Sequence, residues 1–243
     1  MLERAAQELE PFLDEVAFVG GATVALWITD PAAPEPRVTK DVDAVVEVFT
    51  RTAWYRFEDR LRARGLRNDA SSPVICRWKA GVPGDELVVD LMPGDAGILG
   101  FENRWQRSAL EHANGVDLPS GHRIRAISPP YLVATKLEAW KGRGGGDHLR
   151  SHDLEDIIRL VDGRVEIVGE VESTTPEVRS FLAEEIATLL DQPRFLDAID
   201  GTVIGFGGSG SGGDERVDVI VVPRFRALAV GSSLAARLRR EPG

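Results

Sequence analysis

The sequence predicts an α+β protein, with a mixed β-sheet over residues 1–125 and a mainly helical region over residues 126–243 that closes in a hairpin-like segment. Three observations predict it. A strand, a helix and two further strands follow one another between Thr39 and Met92, an order that makes a mixed sheet covered by helices. Three later segments carry helix starts and stops instead of strand alternation. The chain has 243 residues, 43% hydrophobic and 28% charged, so it buries a real core in the manner of an ordinary globular protein.

In order, "LERAAQELEPFLDEV" has helical spacing, and "AFVGGATVALWI" reads as a short apolar segment, a glycine turn and a second helix. The proline-rich "DPAAPEPR" breaks the pattern. "TKDVDAVVEV" reads as a strand, and "TAWYRFEDRLRARG" as a helix closed by Gly65. "SPVICRWKA" and "DELVVDLM" read as two strands around the turn "GVPGD". Beyond them, "PPYLVATKLEAWKGR" opens on prolines, "SHDLEDIIRLVDG" ends at a glycine, and "TPEVRSFLAEEIATLLD" begins with a threonine cap and a proline. The last stretch, "GTVIGFGGSGSGGDERVDVIVVPRFRALAV", reads as two strands joined by a glycine-serine loop over 205–213.

Composition excludes several classes. The uncharged run from Val16 to Thr29 falls short of the roughly 18 residues of a membrane span, and no basic start with an apolar block marks a signal peptide, so the expectation is a cytoplasmic protein. One cysteine, Cys76, leaves no internal disulfide framework or cysteine-rich zinc site. A net charge of −10 argues against a surface coated for nucleic acid. Arginines nevertheless cluster in "RTAWYRFEDRLRARGLR" and in "ARLRR" near the C-terminus, which read either as a local basic strip or as a solvated helix face.

The chemistry concentrates in the first half. Strand side chains alternate between faces, so Asp41 and Asp43 share one face at the mouth of an apolar strand. Asp90 ends another such strand in "LVVDLM". Three carboxylates at strand ends suit a hard divalent cation, Mg²⁺ or Mn²⁺, and two such ions about 3.5–4 Å apart stabilise an in-line phosphoryl displacement. Gly20 and Gly21, without Cβ atoms, let backbone approach a ligand, and a helix opened by them aims free N–H groups at an anion such as a triphosphate.

A double glycine opening a helix, then Arg37, Thr39, Asp41 and Asp43 as R-x-T-x-D-x-D, then Asp90, resembles the polymerase-β-like nucleotidyltransferase superfamily over roughly the first hundred residues. "ATKLEAWKGR" and "RSHDLEDIIRL" resemble the lysine and aspartate motifs of its AbiEii-type branch, the toxins of abortive-infection and toxin–antitoxin systems. The resemblance implies transfer of a nucleoside monophosphate from an NTP, with Mg²⁺ or Mn²⁺ held by Asp41, Asp43 and Asp90. It implies nucleotide binding by Gly20, Gly21, Thr39 and Lys136, places Lys136 and Asp153, the acidic residue of the helical region, among the catalytic residues with Asp41, Asp43 and Asp90, and implies a cognate antitoxin. The chain departs from the pattern where Gly21 stands in place of a common serine, and where "DPAAPEP" lengthens the link to the catalytic strand.

Competing readings stay open at this level. Lys136 is also a plain helix lysine, Asp153 a helix N-cap, and Asp156 a rival for its role. "GFGGSG" matches a dinucleotide fingerprint literally, but the next segment, "DERVDVIVV", reads as a strand and not a helix. His148 and His152 lack the glutamate of a zinc-protease helix. The acceptor expected is RNA, with a small molecule such as an antibiotic as the alternative enzyme reading and a catalytically silent binding module as the third.

Overall fold

The computed structural model describes residues 1–100, 103–143, 146–205 and 211–238, with backbone only for Ala96, Ser211, Gly212, Asp214 and residues 231–238. Phe206–Gly210 of the glycine-serine loop, Gly144 and Gly145, and Arg239 and Arg240 of the C-terminal arginine cluster lie outside the described residues. The chain forms two compact units, Met1–Leu26 with Arg37–Ser128, and Trp27–Pro36 with Pro129–Gly243.

The first unit is built on one seven-stranded mixed sheet of order β3-β4-β5-β2-β1-β7-β6. Its strands are β1 (Val16–Val19), β2 (Val42–Val46), β3 (Arg67–Asn68), β4 (Arg77–Val82), β5 (Asp85–Pro93), β6 (Ala113–Asp117) and β7 (Arg123–Ile127). β2 runs parallel to β5 and antiparallel to β1, while β1 meets β7 in parallel. β1 and β2 are the centre: all of β1 is buried, as is β2 apart from half-buried Asp43.

Local chemistry explains the elements. Helix α1 (Leu2–Glu8) stops short of the full stretch with helical spacing, because Pro11 cannot continue the hydrogen-bond ladder and a 3₁₀ turn, Glu10–Phe12, replaces it. The second helix, α2 (Val24–Trp27), is a single turn preceded by the 3₁₀ turn Gly21–Thr23. Helix α3 (Arg51–Ala63) is capped by the Thr50 hydroxyl, which accepts from Ala53 N–H at 3.2 Å, and gives way at Gly65, whose φ is +92°. Its Trp54, Phe57 and Leu61 are buried, with Phe12 edge-on to Phe57 at 5.3 Å. β4 and β5 form the hairpin that their glycine turn predicts. Sequence pattern gives no sign of the β6–β7 hairpin, since the residues of β6 are exposed or half-buried and carry no alternation; its end is tied by Arg123 and Asp117. A short helix α4 (Gln106–Glu111) precedes it.

The second unit holds helices α5 (Pro129–Gly142), α6 (His152–Gly163), α7 (Ile167–Glu172), α8 (Pro176–Leu190), α9 (Pro193–Val203), α10 (Ser211–Arg216) and α11 (Val222–Leu238). The hairpin-like ending expected from residues 201–230 is corrected: Val217–Val221 is a π-helical turn that runs into α11. Val217, Val221, Phe225 and Leu228 recur at helical spacing and are all buried, with Phe225 edge-on to Phe195 at 5.3 Å. That shared apolar face outweighs the strand preference of the valines. The proline-rich segment belongs to this unit as a strap, because the N–H groups of Thr29 and Asp30 both donate to the Gly163 carbonyl at 2.9 Å. Arg216 fixes it further, reaching Asp30 at 2.8 Å and the fully buried Asp162 at 2.6 Å.

Candidate active site

Strand register assembles the acidic residues of the first unit. Arg77 on β4 stands opposite Asp90 on β5, Asp90 is in register with Asp43 on β2, and Asp43 faces Val19 on β1. Directly paired residues share a sheet face, so Arg77, Asp90 and Asp43 form one transverse row. Asp41 joins it just before β2, where its Oδ2 accepts from Arg77 at 2.8 Å. Asp90 is 6% exposed, and its two carboxylate oxygens accept from Arg77 Nε and a terminal nitrogen at 2.8 Å each.

At the other end of the row the chain turns at Gly20, with φ +73° and ψ −167°, a region that only glycine adopts readily. A Cβ at this position would overlap the Asp43 carboxylate, lying 2.9 Å from its Cγ. Gly20 is therefore required twice, for its backbone angle and for the close approach to Asp43. Its carbonyl accepts from the Thr23 hydroxyl at 2.9 Å and the Thr23 N–H at 3.2 Å, and Gly21 and Thr23 are buried. What the glycines open is this 3₁₀ turn and the one-turn α2, not the long helix that an anion-binding dipole would need.

The electrostatics are dominated by charge pairing. Hydrogen bonding to Asp90 raises the already high pKa of Arg77 further, so its guanidinium is a permanent cation. Cys76, 3% exposed, precedes it; burial, with the Asp90 and Asp43 charges, pushes its thiol up to about 12. For a divalent ion, the donor chemistry fits: Asp43 and Asp90 are in register on adjacent parallel strands, and Arg77 bridges Asp90 to Asp41. Among the described residues, however, no three His, Cys, Asp or Glu side chains stand ready-spaced around a metal position. Arg77 takes three of the four carboxylate oxygens of Asp41 and Asp90. Sequence pattern does not single out Arg77; the one trace of it is "CRWKA", where Arg77 and Lys79 alternate with buried Cys76, Trp78 and Ala80.

The downstream motif residues form a second cluster inside the second unit. Lys136 on α5 is buried, and its ammonium lies 3.1 Å from Asp153 Oδ1 and 2.7 Å from Asp156 Oδ2 on α6, so it is not a solvated helix lysine. Arg143 also pairs with Asp153. Both aspartates thus serve one lysine, and neither rival displaces the other. The N-cap of α6 is Ser151, which accepts from Leu154 N–H at 3.3 Å; Asp153 lies in the first turn.

The other candidates have ordinary surroundings. Thr39 is half-buried, its hydroxyl toward the Met1 sulfur at 3.9 Å. His148 bonds Gln192 at 2.7 Å and packs edge-on to Trp140 at 5.3 Å, while His152 faces Glu155. Of the arginines clustered over residues 51–67, Arg60 is held bidentate by Glu15 at 2.6 and 2.7 Å, and Arg67 by Glu86 at 2.7 Å; Arg56 and Arg64 are exposed. Trp54 and Phe57 pack in the core and Tyr55 is exposed.

The AbiEii model, described as nucleotidyl transferase AbiEii toxin of a type IV toxin–antitoxin system, matches residues 4–198. The chain belongs to the AbiEii nucleotidyltransferase toxin family. No curated protein matches the chain. An antigenic nucleotidyltransferase-like protein from Paracoccidioides brasiliensis is 19% identical, with TM-score 0.50 over 81% of this chain and 88% of its own, a likeness of fold. JHP933 from Helicobacter pylori is 11% identical, with TM-score 0.45 over 98% of this chain and 89% of its own. A nucleotidyltransferase described from H. pylori is 10% identical, with TM-score 0.43 over 100% and 95%. Membership of the AbiEii family implies a nucleotide substrate and an antitoxin partner, and no helix among the described residues is long and apolar enough to cross a membrane.

Proposed function

We propose that this family member moves a nucleoside monophosphate from an NTP to a hydroxyl of RNA in the cytoplasm. The acceptor hydroxyl gives up its proton to water as its oxygen attacks the α-phosphorus, the bond from that phosphorus to the α,β-bridging oxygen breaks, and pyrophosphate leaves. Asp41, Asp43 and Asp90 would hold Mg²⁺ or Mn²⁺, which when bound supplies charge neutralisation for the phosphates and the attacking oxygen. In this reading Gly20 and Gly21 would offer backbone to the nucleotide, and Thr39 its hydroxyl. Lys136, within the second unit, has its ammonium fixed by Asp153 and Asp156. The observation that carries the proposal is the row Asp90–Asp43 ending against Gly20, where a Cβ would overlap the carboxylate.

One observation favours a second acceptor. Arg60 and Arg67 of the arginine cluster over residues 51–67 are already neutralised by Glu15 and Glu86, and the chain carries a net charge of −10, which suits a small cationic molecule. The test is to incubate the protein with each labelled NTP, Mg²⁺ and a cell extract, beside Asp43→Asn. Label in RNA that Asp43→Asn abolishes supports the first acceptor, and label in the small-molecule fraction the second. No label in any fraction overturns the transferase reading.

A further inference from the structure

We propose that Arg77 is a positioning residue whose guanidinium and the divalent ion compete for the same oxygens of Asp41 and Asp90. The inference rests on the metal part of the proposed function. One terminal nitrogen of Arg77 donates to Asp41 Oδ2 and to Asp90 Oδ2, both at 2.8 Å, while Nε holds Asp90 Oδ1 at 2.8 Å. A hard cation coordinating those oxygens has no room for N–H donors on the same lone pairs, because a metal–oxygen bond near 2.1 Å and a guanidinium hydrogen seek the same site.

The geometry also says why the arginine is there. Asp41, Asp43 and Asp90 bring three negative charges to one strand end, and Asp90 is 6% exposed. Like charges at this spacing repel, and a buried carboxylate without a partner is costly. Arg77, directly opposite Asp90 in the β4–β5 register, offsets one of those charges while no ion is bound. The exchange is open to Arg77 in particular. Its side chain is 24% exposed, so the guanidinium can swing out and hydrate, whereas a fully enclosed one would be stranded. The arginine thereby holds the two carboxylates in register and weakens the site's affinity for the ion.

The experiment titrates Mn²⁺ into wild type, Arg77→Met, Arg77→Lys and Asp43→Asn, reading bound ion by electron paramagnetic resonance and the fold by circular dichroism and melting. Loss of the competing charged hydrogen bonds predicts at least about ten-fold tighter Mn²⁺ in Arg77→Met. Arg77→Lys, a point charge that cannot span both carboxylates, falls between and covers the case in which Arg77→Met does not fold. A purely structural latch predicts the opposite order, since released carboxylates splay and bind the ion more weakly. Carboxylate-dependent binding in wild type with equal or weaker binding in both Arg77 variants overturns the competition alone. No binding that Asp43→Asn abolishes, in any variant, overturns both the competition and the metal reading.

Discussion

Replacing Gly20 by alanine separates the two demands made on that residue. Its φ of +73° with ψ of −167° is a conformation reserved to glycine, and holding an L-residue there costs about 1–3 kcal/mol. In a chain of this size each kcal/mol moves the melting point by about 2–4 °C, so strain alone lowers it by about 2–12 °C. The second demand is spatial, because the new methyl would overlap the Asp43 carboxylate. The backbone of β1 and β2 is buried and paired through Val19 and Asp43, so the Asp43 side chain must give way. A shift of about 1 Å in a catalytic group is worth about a hundred-fold in rate. Gly65→Ala is the internal control: its φ is +92°, yet a Cβ there meets nothing within 4 Å. Melting curves and NTP-transfer rates of both variants should therefore show a comparable loss of stability but a loss of rate only in Gly20→Ala. A Gly20→Ala enzyme that transfers at the wild-type rate would refute the claim that the glycine exists to admit Asp43.

Three further outcomes are expected from the geometry. Lys136→Met leaves Asp153 and Asp156 buried without their shared cation, and should cost about 3–5 kcal/mol, read as a lower melting point; wild-type melting would contradict the buried pairing. The Cys76 thiol, pushed up to about 12 by burial and neighbouring carboxylates, is neutral at pH 8 and should react with a disulfide reagent only after denaturation. Because the folded state favours the protonated thiol, its contribution to stability is intact below about pH 8.5 and declines as pH rises from there toward 12. Changing Arg56 and Arg64 to Gln should lower the salt slope of RNA binding by roughly 0.7–0.9 for each phosphate that is no longer held, while Arg60→Gln, whose partner is the exposed Glu15, changes stability by under about 1 kcal/mol.

The parts of the fold legible in the sequence are those written in local pattern. α3 announces itself through Thr50, the spacing of Trp54, Phe57 and Leu61, and Gly65; the β4–β5 hairpin through its glycine turn. Where tertiary packing decides, local pattern misleads. "VDVIVV" has strand composition, yet a face shared by Val217, Val221, Phe225 and Leu228 makes it helical, because burial of four apolar side chains outweighs a propensity difference of about 1 kcal/mol. "DPAAPEPR" reads as a lengthening of the link to β2, but carries polar groups that Gly163 and Arg216 satisfy from far along the chain.

The site divides along the same line. Asp41, Asp43 and Asp90 each stand at the end of an apolar run, so periodicity exposes them one at a time, and Gly20 is visible because its turn is one that only glycine adopts readily. Arg77 is invisible by the same logic: an arginine on a half-buried strand is unremarkable until the register sets it opposite Asp90 and within reach of Asp41. Lys136 is ambiguous for a related reason, since sequence pattern alone leaves a solvated helix lysine open until α6 brings two aspartates to it. In both clusters the sequence displays the conspicuous charges, and the cross-element partner that neutralises them decides what they do. Arg77 and Lys136 differ in one respect that matters for chemistry. Arg77 is 24% exposed on its side chain and able to yield its carboxylates, whereas Lys136, at 11%, is enclosed with its own. Exchange with an incoming ion is therefore expected at Asp41 and Asp90, while Asp153 and Asp156 keep their lysine through the reaction.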